Sequence, residues 1–178
     1  MKKLLSLASL GLILAACNTN AGTNGTAATD SHPADTLTYA FKATYSSDWT
    51  VPSNPAYAQK VLQVWKMFET AQIEAMKPYF ADSVTYDDAS GMHFHGPAGE
   101  LLAYAKKDIE GLDSMRFDIS MWQSTHSNDR NEDWVNIWST ERRYPKKGVP
   151  DTVLMQENWK LKEGRVVYFN QYLAKLPK

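Results

Sequence analysis

The chain has 178 residues, 43% hydrophobic and 22% charged, which fits one compact domain plus a tail and is long enough to bury a real core. Its 19 basic and 20 acidic residues nearly cancel, a balance that argues against a nucleic-acid partner, since such a partner asks for a clustered basic face. Cys17 is the sole cysteine, so an internal disulfide and a cysteine metal site are excluded.

Residues 1–16 read as a targeting segment. Lys2 and Lys3 form a basic start and Leu4 to Leu14 an apolar run within the roughly 7 to 15 residues of a signal peptide. A bilayer span needs about 20. The run ends in Leu14-Ala15-Ala16-Cys17, which resembles a bacterial lipobox and implies lipidation (palmitate) of Cys17; an ordinary signal peptide with an incidental cysteine is the alternative. Without Lys2 and Lys3 the mature chain holds 17 basic against 20 acidic residues, a net charge of −3, so the lipid rather than a polybasic patch is the expected membrane link. Asn18 after the cysteine, where the enteric sorting rule uses Asp for inner-membrane retention, implies an outer-membrane, cell-envelope location.

Residues 17–36 are built almost wholly of small and polar residues. They are expected to form a disordered tether, with about 18 residues giving a reach of roughly 20 to 25 Å. Residues 37–53 bring large apolar groups back, with Leu37, Tyr39, Phe41, Tyr45 and Trp49 at mostly alternate positions, and read as an extended aromatic arm packed on the domain.

The folded domain is expected over 54–178. Asn54 is a plausible N-cap with Pro55 at the first helical position, and Val61, Val64, Trp65 and Phe68 form the stripe of an amphipathic helix to about Thr70. Ile73 to Phe80 reads as a shorter helix. Val84 to Asp88 and Met92 to His95 form a short hairpin across Ala89-Ser90-Gly91, and a third helix runs from Gly96-Pro97 to Gly111. The period then changes to two, and Met115–Ser124, Trp134–Tyr144, Thr152–Leu161 and Arg165–Leu173 read as four antiparallel strands. The plan is α+β: three helices packed on a curved, mainly antiparallel sheet of about six strands.

The last two strands, joined by Lys162-Glu163-Gly164-Arg165, carry the functional signal. Met155, Glu157, Trp159 and Leu161 alternate on one face, as do Val166, Tyr168, Asn170 and Tyr172 on the next strand. Glu157 and Asn170 are the polar exceptions, and an unpaired buried polar group costs about 1 to 3 kcal/mol.

Tyr79-Phe80-Ala81-Asp82-Ser83-Val84-Thr85-Tyr86, then His95-Gly96 opening a helix, then Trp159-Lys160-Leu161-Lys162-Glu163-Gly164-Arg165-Val166 resembles the nuclear transport factor two-like superfamily, in particular its SnoaL-like branch and lipid-anchored members of unassigned role. The resemblance covers about Asn54 to Leu173. It implies a cone-shaped α+β barrel with a pocket between helices and sheet and frequent dimers through the outer sheet face. Its members include isomerases, dehydratases, cyclases and epoxide hydrolases as well as proteins that only bind.

By analogy with that pattern, Trp159, Leu161 and Val166 point inward. Propagating the pleat adds Phe117, Ile119, Met121, Val135, Ile137, Ser139, Glu141, Met155, Glu157, Tyr168 and Asn170 to the inner face and Trp122, Trp134, Asn136, Trp138, Asn158, Phe169 and Gln171 to the outer one, where Trp122, Trp134, Trp138 and Phe169 form a candidate interface for the arm or a second subunit in a homodimer. The expected ligand pocket comprises Trp65, Tyr86, His95, Glu141, Glu157, Tyr168 and Asn170. Glu157 is the candidate catalytic acid or base, unless it is buried only to bond structural donors. Arg142 points out on this register, leaving no inward arginine between Glu141 and Glu157, which argues against an epoxide-hydrolase-like mechanism. His93, His95 and Glu100 match part of a cupin motif, but Leu101 to Gly111 reads as helix where that motif needs a strand, so no metal and no cofactor are expected.

The expectation is a lipid-anchored pocket domain that binds a small, largely apolar molecule without catalysis. The alternatives are a SnoaL-like lyase, isomerase or hydrolase using the inward glutamate, and a protein-interaction module acting through the outer sheet face.

Overall fold

The structure, a computed structural model, describes residues 39–176. The signal peptide, Cys17 and the tether lie outside the described residues. The described residues from Lys42 onward form one compact unit; Tyr39 and Phe41, before it, are exposed.

This unit begins with the arm. Trp49 and Thr50 form a two-residue strand, β1. Helix α1 (Pro55–Glu69) starts as its sequence dictates, with Asn54 accepting from the Ala56 N–H at 3.0 Å and Pro55 in the first turn, where no amide donor is needed. A 3-10 helix (Ile73–Tyr79) buries Ile73 and Met76. Strands β2 (Phe80–Asp88) and β3 (His93–Pro97) pair antiparallel and lead into α2 (Ala98–Ile109). Four long strands complete the unit: β4 (Leu112–Ser127), β5 (Glu132–Pro145), β6 (Asp151–Lys162) and β7 (Arg165–Lys175).

The sheet has seven strands rather than about six, in the order β1-β4-β5-β6-β7-β2-β3, and it stays open instead of closing into a barrel. All pairings are antiparallel except β2 with β7, which run parallel. The helices cover the concave face. Val61, Val64 and Trp65 of α1 and Leu101 and Leu102 of α2 join Val135, Ile137, Met155, Trp159, Leu161 and Val166 of the sheet in one buried cluster. The β6–β7 turn is the tight form read from Lys162-Glu163-Gly164-Arg165, with Glu163 at φ 53° and Gly164 at φ 75°, the positive pair that matches strand twist.

Two β-bulges overturn parts of the predicted faces. In β7, Lys160 pairs with Tyr168 but Leu161 with Val166, so Val167 is an extra residue and every side chain after it changes face. Phe169 and Gln171 therefore turn inward, while Tyr168 and Asn170 turn outward. In β4, Ile119 faces Ser139 but Met121 faces Trp138, so Ser120 is the extra residue. Met121 leaves the inner face, and Trp122 moves to the pleat of Ile137, where it remains 55% exposed.

The outer face is partly covered by the arm. Trp134 is buried, with Tyr45 edge-on at 5.9 Å and Tyr168 at 5.8 Å between ring centres. The Tyr45 hydroxyl donates to Glu132, Arg130 lies 4.1 Å above the Tyr45 ring, and Ser46 donates to Asp129 at 2.5 Å. Trp138 is half-buried on the same face.

Candidate functional site

Between α1, α2 and the concave face lies a pocket of about 630 Å³. Its walls follow from the patterning already described. The α1 stripe supplies Val64, Trp65 and Phe68, α2 supplies Leu101, Leu102 and Ala105, and alternate residues of β6 supply Val153, Met155, Glu157 and Trp159. Aromatic rings form much of this lining: Trp65 lies 4.7 Å from Phe117, and Phe169 stacks on Trp159 at 4.4 Å with 9° between planes.

Glu157 is 5% exposed in this wall. Its Oε2 accepts from Trp159 Nε1 at 2.8 Å, two residues on along the same face of β6, and its Oε1 accepts from Gln171 Nε2 at 2.7 Å. Gln171 is the direct cross-strand partner of Glu157, a position it owes to the β7 bulge. The Gln171 carbonyl accepts in turn from the Tyr86 hydroxyl at 3.2 Å. Burial pushes the Glu157 carboxyl up to about 7, against the lowering effect of the Gln171 and Trp159 donors; the Glu141 charge adds a further rise. A carboxyl poised there exists in both protonation states near neutrality and can give or take a proton. The Tyr86 phenol is also raised, chiefly by burial.

A second polar group occupies another part of the lining. Glu141, 2% exposed, accepts from Arg143 Nε at 2.8 Å, and Arg143 Nη1 reaches Asp108 of α2 at 2.9 Å. Burial raises the Glu141 pKa and the Arg143 charge opposes that rise. Arg143 keeps its charge because the two carboxylates outweigh its own desolvation. An arginine therefore does face inward, contrary to the sequence expectation. Glu141 and Arg143 are two residues apart on one strand, so continuing the pleat one step past Glu141 would have found it.

Of the residues expected in the pocket, Trp65, Tyr86, Glu141 and Glu157 line it. His95, Tyr168 and Asn170 do not. Phe94 turns toward the core, so its neighbours His93 and His95 turn out on the edge strand β3, where His95 Nδ1 lies 2.8 Å from Thr85 Oγ1 and His93 Nδ1 lies 2.6 Å from Asp87. The bulge sends Tyr168 against Trp134 and Asn170 to Asn158, whose amide donates to it at 2.7 Å. Phe169, expected at an outer interface, is instead a pocket residue for the same reason. Asp108 was not singled out, because an acid near a helix end has no periodicity signal of its own. Among the described residues, no three His, Cys, Asp or Glu side chains gather in a way that would hold a metal ion.

No family profile matches the chain, and no curated protein matches it by sequence. Solved structures do. An LEH-like epoxide hydrolase from M. tuberculosis superposes with a TM-score of 0.58 at 10% identity, over 69% of this chain and 86% of that one. A putative SnoaL-like polyketide cyclase from Shewanella denitrificans gives 0.56 at 13% identity, over 68% and 92%. A protein of ketosteroid isomerase-like fold from Catenulispora acidiphila, solved with trimethylamine, gives 0.52 at 16% identity, over 63% and 83%. At such identities the likeness speaks for the fold alone. What the chain shares with these proteins is the fold, helices packed on a curved, mainly antiparallel sheet.

Proposed function

We propose that this protein is a lipid-anchored cell-envelope protein, attached through Cys17 to the outer membrane, whose pocket domain binds a small, largely apolar molecule. One observation carries the reading: a cavity of about 630 Å³, walled by aromatic and aliphatic side chains, with the buried Glu157 carboxyl among them. Its size lies within the range of roughly 300 to 1,000 Å³ typical of small-molecule sites, where an apolar wall supplies affinity and a few polar groups fix orientation. Protein purified from its native envelope is expected to show a bound small molecule in native mass spectrometry. Empty protein in every preparation, together with no thermal shift from any apolar compound, would remove the support for this reading.

A second reading is favoured by the Glu157 carboxyl, raised to about 7, and by Arg143 clamped between Glu141 and Asp108. On this reading the pocket is the active site of a lyase, isomerase or hydrolase, with Glu157 as acid or base and the Arg143 cluster holding a polar part of the substrate. Glu157→Gln would then abolish turnover of any substrate found while leaving its binding within a few-fold. Unchanged turnover in that variant would end this reading and leave the first intact.

A further inference from the structure

A polar row crosses the outer face of the sheet, away from the pocket. Cross-strand register sets Gln123, Asn136, Asn158, Asn170, Asp87 and His93 side by side across β4, β5, β6, β7, β2 and β3. The β7 bulge is what brings Asn170 into it. At about 4.8 Å per strand, the amides from Gln123 to Asn170 span roughly 14 Å. Asn is depleted in strands, so three of them in register on β5, β6 and β7 call for a reason. They do not saturate one another. Asn158 Nδ2 donates to Asn170 Oδ1 at 2.7 Å and Gln156 Nε2 to Asn158 Oδ1 at 3.4 Å, but this chain stops short of Asn136 and Gln123, whose amides have no side-chain partner among the described residues. Each amide holds two donor hydrogens and an acceptor oxygen, and all four side chains are only half-buried.

Aromatic rings border the row on both sides. Trp138, half-buried, and Tyr172, 51% exposed, stand two residues along from Asn136 and Asn170, and Tyr168, edge-on to Trp134, stands on the other side. The amide stretch is uncharged, and the one acid of the row, Asp87, lies beyond it with His93 Nδ1 at 2.6 Å. We propose that this face binds an uncharged glycan, its pyranose rings lying along the amides. A sugar hydroxyl donates and accepts at once, as an amide does, and the apolar face of a pyranose packs on an aromatic ring. A charged polymer finds no counter-charge among amides. A second copy of this chain is the poorer fit, because the core of a subunit interface is mostly apolar and this centre is not. Glycan binding here requires neither the pocket on the concave face nor an anchor at Cys17.

Calorimetric titration of the full chain with cellohexaose, chitohexaose, cellobiose and hexagalacturonic acid tests this. At least one neutral hexamer is expected to bind, about tenfold or more tighter than cellobiose, which covers too little of the row, and than the anionic hexamer. Cellohexaose alone would mark recognition of hydroxyls and chitohexaose alone recognition of acetamido groups, and either result supports the proposal. Asn136→Ala/Asn158→Ala should weaken the hexamer at least about tenfold, the least that two lost hydrogen bonds should give, with an unchanged melting temperature. In the wild type, the side-chain amide resonances of Gln123 and Asn136 should shift on titration, a readout that decides the matter if the double variant does not fold. No binding by either neutral hexamer, tighter binding of hexagalacturonic acid, an unaltered affinity in the folded double variant, or unmoved amide resonances would each overturn the inference. So would a dimer in sedimentation at the same concentrations that shields Trp138 from acrylamide.

Discussion

Arg143 meets Asp108 with Nη1 3.0 Å from one carboxylate oxygen and 2.9 Å from the other, while its Nε donates to the buried Glu141. Removing the arginine leaves Glu141 without its counter-charge, and breaking a buried pair in this way costs about 3 kcal/mol or more. Arg143→Leu is expected to lose roughly that much stability at pH 8 and less at pH 5, because burial already favours the neutral form of Glu141 and removing the arginine favours it further. Urea unfolding at the two pH values checks it; equal losses would mean that Glu141 does not depend on this partner.

Glu157 holds its proton more tightly in the folded chain, at about 7, than at the ordinary 4.5. Between those values the native state carries the extra proton, so stability falls as pH rises. The contribution is complete below about 4.5 and lost above about 7, roughly 3 to 4 kcal/mol in all. Glu157→Gln cannot ionise and lacks this slope. The stability difference, wild type minus variant, should therefore decline between pH 4.5 and 7.5 in denaturant titrations, the other carboxylates cancelling in the comparison; a flat difference would contradict the raised pKa.

How much of this could be read from residues alone differs between elements. Helix α1 was legible to the residue at its start because Asn54 and Pro55 are local signals that packing did not override. The β6–β7 turn was equally plain in Glu163-Gly164. The β7 face was not. Val166, Tyr168, Asn170, Tyr172 and Val167, Phe169, Gln171, Leu173 are both mixtures of apolar and polar residues, so either set can face a core, and one bulged residue decides between them. Gln171 and Phe169 were lost from the predicted site for that reason. His95 was misplaced because its sequence position beside α2 says nothing about which side of an edge strand it takes.

Gly164 adopts φ +75°, and a Cβ there would sit 2.6 Å from the Lys60 ammonium, which donates to the Gly164 carbonyl at 2.9 Å. The lysine end can shift, so backbone strain sets the penalty. Gly164→Ala is expected to cost about 1 to 2 kcal/mol, visible as a lowered denaturation midpoint with unchanged pocket binding. A neutral effect would mean that the turn relaxes to another type.

Tyr45 covers Trp134 edge-on and lies beneath Arg130. Tyr45→Ala should lose about 1 kcal/mol, the worth of an aromatic pair, and open Trp134 to acrylamide quenching. Unaltered quenching would show that the arm does not shield this indole. The same variant should leave the pocket on the other face of the sheet unaffected.

The parallel pairing of β2 with β7 fixes when the pocket can come into being. Tyr86 and Gln171, linked through a hydroxyl and an amide, lie 85 residues apart, and β2 finds its partner only after the whole meander has been made. Contacts that distant are slow to close. A chain cut after β6 lacks Phe169 and Gln171, so Glu157 has no cross-strand partner and one wall is missing. In refolding, ligand binding should therefore return only with the last step, the closing of β7 on β2.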